Sequence, residues 1–185
     1  MLEFLGHCFS VLCGQSPEHT WAPGGLLLPC CQRCLGLYVG AGIAAGLHWR
    51  LRPKLSGRFL ETHGMFLLLM VPCGLHWLPQ NPVLRTISGV LFGFGVVSFL
   101  MVPLRARAPG ASPPVRFGYG FALAATLALT PLLAAFGGAP AAYGLAGLAL
   151  LGAAALALLV LANAGLALVQ AFRLRRSNHG AIRPS

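Results

Sequence analysis

Eleven of the thirteen basic residues of this chain fall in three clusters, and the stretches between the clusters are apolar and long enough to cross a bilayer. Arg50, Arg52, Lys54 and Arg58 form the first cluster, Arg105, Arg107 and Arg116 the second, and Arg173, Arg175, Arg176 and Arg183 the third; Arg33 and Arg85 lie elsewhere. Over the whole chain 57% of the residues are hydrophobic and only 9% are charged, whereas a water-soluble surface needs about a quarter charged residues. Lipid is therefore the solvent, and 185 residues leave room for roughly five or six spans of about 20 residues with no separate soluble domain. The positive-inside rule then makes the three basic segments cytoplasmic. A formal charge of +10 would suggest a nucleic-acid partner in a soluble protein; here its distribution sets topology instead, and no nucleic-acid partner is expected.

The expected fold is all-α, a polytopic transmembrane bundle of about five spanning helices plus an N-terminal interfacial or re-entrant cysteine-rich segment. Residues 1–14 carry no basic n-region, so the N-terminus is read as mature. Residues 2–13 are apolar but too short to span. The helices are placed at about Cys31 to Trp49, 59–78, 83–104, 117–136 and 143–171, with breaks at Pro79, Asn81 and Pro82 and at the turn 137–140. This gives an N-terminal segment 1–30, a three-helix core 31–104, a basic linker 105–116, an Ala/Leu-rich pair 117–172 and a basic tail 173–185. Five crossings leave the cysteine segment outside and the C-terminus in the cytoplasm, with the bacterial inner membrane as the expected location. Trp21 and Trp77 then fall at the outer interface and Trp49 at the inner one.

Small-xxx-small pairs, Gly36 with Gly40, Gly42 with Gly46 and Gly89 with Gly93, predict close helix approach. The last two helices hold little that is polar beyond Thr126, Thr130 and Asn163; they read as scaffold or as the surface of a homo-oligomer, with Asn163 in an interhelical hydrogen bond.

Any chemistry belongs to the first third. Five of the six cysteines, Cys8, Cys13, Cys30, Cys31 and Cys34, fall within 34 residues. Cys31-Gln-Arg-Cys34 is a C-x-x-C motif at a helix start, where unpaired backbone N–H groups and the charge of Arg33 favour thiolate. Cys73 and His76 form a C-x-x-H pair at the same membrane face. Cys13, Cys31, Cys34 and His76, with Cys8, Cys73, His7 and His19 as alternates, supply the ligands of a zinc- or iron-type metal site. Helical spacing puts Cys31, Cys34 and Tyr38 on one stripe and Gly36 and Gly40 largely on the other side.

The runs Cys13-Gly-Gln-Ser-Pro-Glu-His-Thr-Trp21 and Leu28-Pro-Cys-Cys-Gln-Arg-Cys-Leu-Gly-Leu-Tyr-Val-Gly40 resemble the C-H-Q-x-P-x-R-S-F and P-x-C-x-R-C-x-G-x-Y-x-G signatures of predicted membrane proteins grouped as domain of unknown function 2085. Gln80-Asn-Pro-Val-Leu-Arg-Thr-Ile-Ser-Gly89 is similar to that family's N-x-x-R-x-x-[ST]-G segment. The resemblance covers roughly residues 7–100 and implies a membrane protein in which Cys13, Cys31, Arg33, Cys34, Gly36, Tyr38, Asn81 and Arg85 occupy motif positions. Gly14 stands where the family has histidine and His19 where it has arginine, so His19, His7 or His76 would have to replace any ligand lost there. The resemblance implies no reaction.

Three readings of the cysteines stay open: a metal site; a thiol-disulfide oxidoreductase in which Cys31 or Cys34 attacks, the other resolves and Cys13 or Cys8 passes electrons onward, to a quinone for example; and a structural disulfide. Arg33, Tyr38, Asn81 and Arg85 are the expected supporting residues. Other classes fare worse. Glu3, Glu18 and Glu61 are the only acidic residues and none lies near mid-membrane, which argues against proton-coupled transport. A chain without aspartate builds no Ser-His-Asp triad.

Overall fold

The computed structural model describes residues 2–11, 13–75, 77, 80–105 and 114–180. Six helices carry the fold: α1 (Leu2–Ser10), α2 (Gln32–Leu51), α3 (Gly57–Gly74), α4 (Pro82–Arg105), α5 (Pro114–Phe136) and α6 (Ala139–Gly180). No strand occurs among the described residues, only an isolated antiparallel bridge between Thr20 and Cys31. The expected helices are all found, with most ends displaced by a few residues and the end of α6 at Gly180 rather than about 171. The linker positions 106–113, Pro79 and residues 181–185 of the basic tail lie outside the described residues.

Helix ends follow local chemistry. Ser56 caps α3, its Oγ accepting from the Phe59 N–H, and Asn81 Oδ1 accepts from the Leu84 N–H at the start of α4, so each side chain satisfies a donor that the first turn leaves unpaired. Arg52 takes a left-handed conformation (φ 46°) and ends α2.

Helix α2 is the centre of the bundle, packed along α4 on one side and α6 on the other, with α3 laid against α4. Glycine makes the α2–α4 crossing possible. A Cβ on Gly36 would meet the backbone carbonyl of Thr86, and one on Gly89 the carbonyl of Arg33; Gly40 and Gly93 face Val90 and Leu37 in the same way. On the opposite face Gly42 meets Gly152 of α6, where a Cβ would stand 3.1 Å from the Gly152 Cα. Gly46 faces open space, so the second expected pair on α2 has only one member in contact. Asn163 donates to the Leu100 carbonyl of α4 at 2.9 Å, the interhelical bond expected of it.

Among the described residues three helices are long and apolar enough to cross a membrane: Pro82–Leu104, Phe117–Phe136 and Ala139–Arg173. That is fewer than the five expected. Helices α2 and α3 have 20 and 18 residues, but Gln32, Arg33, His48 and Arg50 in the first, and Arg58, Glu61, Thr62 and His63 in the second, dilute their hydropathy. The outer faces of α3, α5 and α6 present Leu68, Phe121, Leu132, Phe136, Leu158 and Leu161. Apolar surface of that extent is what a bilayer, rather than water, covers.

Candidate functional site

The cysteine-rich segment folds back onto the bundle. Phe9 of α1 is buried with its ring 5.3 Å from that of Tyr38, which seats α1 on α2. Gln15 then reverses the chain in a left-handed conformation (φ 44°), and its Nε2 donates to the carbonyls of Gly6 (2.6 Å) and Pro29 (2.8 Å). The indole N–H of Trp21 donates to Thr86 Oγ1 at 2.8 Å, clipping the segment to α4. Gly24, at φ 60°, passes against the backbone of Gly138 and Ala139, where a Cβ would stand 2.9 Å from the Ala139 nitrogen. These contacts return the chain to Cys31, the N-cap of α2.

As a result three sulfurs meet. The Sγ atoms of Cys13, Cys31 and Cys34 lie within 4.8 Å of one another, and the Cys31 backbone N–H donates to Cys13 Sγ at 3.3 Å. All six cysteines are free thiols. The Cys31 thiol is pulled down to about 5, foremost by the hydrogen bond from the Cys34 thiol; burial opposes this, and the backbone N–H of Cys34, the Cys13 thiol and the backbone N–H of Arg33 assist it. Donors at a helix start stabilise a thiolate because the backbone has no other use for them there. Arg33 thus acts on Cys31 through its backbone rather than through its guanidinium. Burial, then the charges of Cys13 and Cys31, push the neighbouring Cys30 thiol far up, which makes it an inert core thiol.

A cavity of about 380 Å³ opens beside the group, lined by Gly14, Gln15, Ser16, His19, Cys31, Gln32, Arg33, Cys34 and Arg85. Arg33 reaches away toward the end of α3, where Nη2 donates to the Cys73 carbonyl (2.9 Å) and to Gln80 Oε1 (3.1 Å). Of the alternates, His19 lines the cavity. Cys8 and His7 are exposed on α1, and Cys73 is buried apart from the three-sulfur group. His76 lies outside the described residues. Tyr38 belongs to the packed core under the thiols, Asn81 caps α4, and Arg85 faces the cavity.

Sequence reasoning missed a second polar cluster toward the other end of α2. His48 Nε2 lies 3.1 Å from Ser98 Oγ, Ser98 Oγ lies 3.4 Å from Tyr119 Oη, and Tyr119 Oη lies 3.0 Å from His63 Nε2. His63 Nδ1 is 2.8 Å from the Phe59 carbonyl. Ionisable side chains inside long apolar helices were the available signal, but the four residues come from four helices and share no local spacing.

A helical membrane protein with a three-thiol group at the start of its central helix is the class defined by this fold and site. Residues 13–99 match the family described as predicted membrane protein (DUF2085). The matched segment runs from Cys13 through most of α4 and so holds every thiol of the group, both arginines of the cavity and the glycine crossing beneath them. No curated protein and no solved structure matches the chain.

Proposed function

We propose that this protein holds a metal ion of the zinc or iron type on the thiolates of Cys13, Cys31 and Cys34, at the non-cytoplasmic face of a bacterial inner membrane. The observation that carries the reading is the convergence of three sulfurs within 4.8 Å from two segments of chain. Three thiolates are a soft donor set suited to such ions, and His19 on the cavity wall can complete three thiolates and one imidazole. A bound cation requires deprotonated sulfur; Cys31 is biased to thiolate because the Cys34 thiol donates to it, and Cys34, pushed up by that same bond, would give up its proton when the metal binds.

The packing supports a five-crossing topology. Helix α2 lies between α4 and α6, both of which are long and apolar enough to cross, and its 20 residues reach about 30 Å. Helix α3 lies along α4. On this reading the chain crosses five times with the basic loops and tail inside, and the thiol group lies outside.

The adjacent Cys31 and Cys34 also favour a second reading, thiol-disulfide exchange. The Cys31 thiolate attacks a substrate disulfide and one substrate thiolate leaves; Cys34 then resolves the mixed disulfide, releasing the second substrate thiol and leaving Cys31–Cys34 oxidised for re-reduction by an external dithiol. Elemental analysis of detergent-purified protein for zinc, iron and copper, with a thiol count before and after reduction, separates the two. About one metal per chain, lost in Cys31→Ser and Cys34→Ser, establishes the metal site. Absence of metal, with a mixed disulfide trapped in Cys34→Ser, establishes exchange instead.

A further inference from the structure

The two arginines of the cavity have more donors than the protein uses. Nε of Arg33 and Nε of Arg85 are both buried and without a hydrogen-bond partner. Arg33 satisfies part of its guanidinium on Cys73 and Gln80. Arg85 has no hydrogen-bonded or carboxylate partner for its guanidinium among the described residues. No sulfur of the thiol group accepts from either Nε. A buried donor on a fixed cation is costly to leave unmatched, and arginine's planar fork suits a carboxylate or another oxyanion. The cavity between them, about 380 Å³, falls within the range of small-molecule pockets, about 300–1,000 Å³. Gln15, Ser16 and His19 add polar groups to its wall.

The geometry points to an anion site: the cavity takes a small soluble organic anion, with its carboxylate or oxyanion on Arg85 and Arg33 and its body against Cys31 and Cys34. This rests on the thiol group being the working site, and it names the class of molecule brought to it. It does not depend on whether the thiols hold metal or exchange disulfides.

Two alkylating reagents that differ in charge test it. Iodoacetate and iodoacetamide form the same kind of S–C bond with a thiolate and expel iodide, but only iodoacetate is an anion. In the full chain purified in detergent, the rate ratio of iodoacetate to iodoacetamide at Cys31, read by mass spectrometry, is expected to exceed that of a free cysteine peptide. It falls about tenfold in Arg85→Gln, the weight of one charge-assisted contact, and is partly restored in Arg85→Lys. Inorganic sulfate slows iodoacetate at Cys31 in the unmodified chain, which requires no variant to fold. Lys54→Gln, in the basic loop following α2, leaves the ratio unchanged. A ratio equal to the peptide's, no slowing by sulfate, or an equal fall in Lys54→Gln overturns the inference. So does protection by phosphatidylglycerol vesicles and not by sulfate, which assigns the arginines to a lipid headgroup. Metal content measured on the same samples separates the outcomes: metal without a raised ratio removes the anion site alone, and a raised ratio without metal removes the metal site alone.

Discussion

Helix α2 carries a polar cluster toward each end, about 25 Å apart, and the two differ in what they leave unmatched. In the His48–Ser98–Tyr119–His63 group the directions are set by the Phe59 carbonyl. That oxygen accepts from His63 Nδ1–H, so His63 Nε2 accepts from the Tyr119 hydroxyl. Tyr119 oxygen then accepts from Ser98, and Ser98 from His48 Nε2–H. No buried side-chain atom of the group is left unmatched, although a cavity of about 330 Å³ lined by Lys54, Arg58, His63 and Tyr119 adjoins them. At the thiol end two guanidinium nitrogens stay unpaired and three sulfurs crowd together. The contrast teaches that burial of polar groups does not by itself mark a working site. A closed chain of bonds holds helices in register, whereas leftover donors and a biased nucleophile face something that arrives from outside.

The sharpest way to break this contrast is metal analysis. Serine at Cys13, Cys31 or Cys34 is expected to bring metal from about one per chain to background, while His63→Gln and Tyr119→Phe retain it; loss in Tyr119→Phe would show that the two ends work as one. Next in size are the glycines. Gly36→Ala or Gly89→Ala drives a Cβ into opposing backbone and should cost about 3 kcal/mol, read as thermal unfolding in detergent. Gly95→Ala, whose Cβ would meet the movable Leu67 side chain at 2.7 Å but also the His63 carbonyl oxygen at 2.9 Å, should cost about 2 kcal/mol, and Gly46→Ala, in open space, nothing measurable.

Reactivity against pH sharpens the thiol side. Because the Cys31 value is lowered to about 5, its thiolate persists as pH falls and is lost only near that value. In metal-stripped protein, iodoacetamide should label it at pH about 6 roughly tenfold faster than a free thiol, whose value is about 8.5, the larger thiolate fraction outweighing the lower nucleophilicity of a more acidic thiol. Cys30, shifted the opposite way, should resist labelling throughout. The smallest effect belongs to the closed chain. Tyr119→Phe strands Ser98 and His63 and should cost about 1–2 kcal/mol, with Cys31 labelling unchanged.

Much of this was legible in the chain itself. Arginine clusters and proline breaks delimit the helices, and the C-x-x-C motif with Cys13 marks the sulfurs that meet. Glycine spacing marks the α2–α4 face, which puts Gly36 against Thr86 while Cys34 turns to the cavity. The count of strongly apolar helices was not legible, because polar residues of the two clusters sit on α2 and α3 and lower the hydropathy of those helices. Nor was the closed chain, whose bonds join residues 50, 21 and 56 positions apart. Cys73 could not be separated from the other thiols by spacing alone, since its burial depends on how α3 meets Arg33 and Gln80.

The glycine crossing of α2 and α4 has a bearing on where such a protein can work. Gly36 and Gly89 bring the two backbones together within about one turn of Cys34 and Arg85, with no side chain between them to swing or compress. Bilayers of different thickness are accommodated by tilting helices, and a tilt shared by α2 and α4 carries the cysteines and arginines along as one rigid plate. The distance from Cys31 to Arg85 should therefore stay constant from thin to thick membranes, while the 42-residue α6 takes up the difference at the rim.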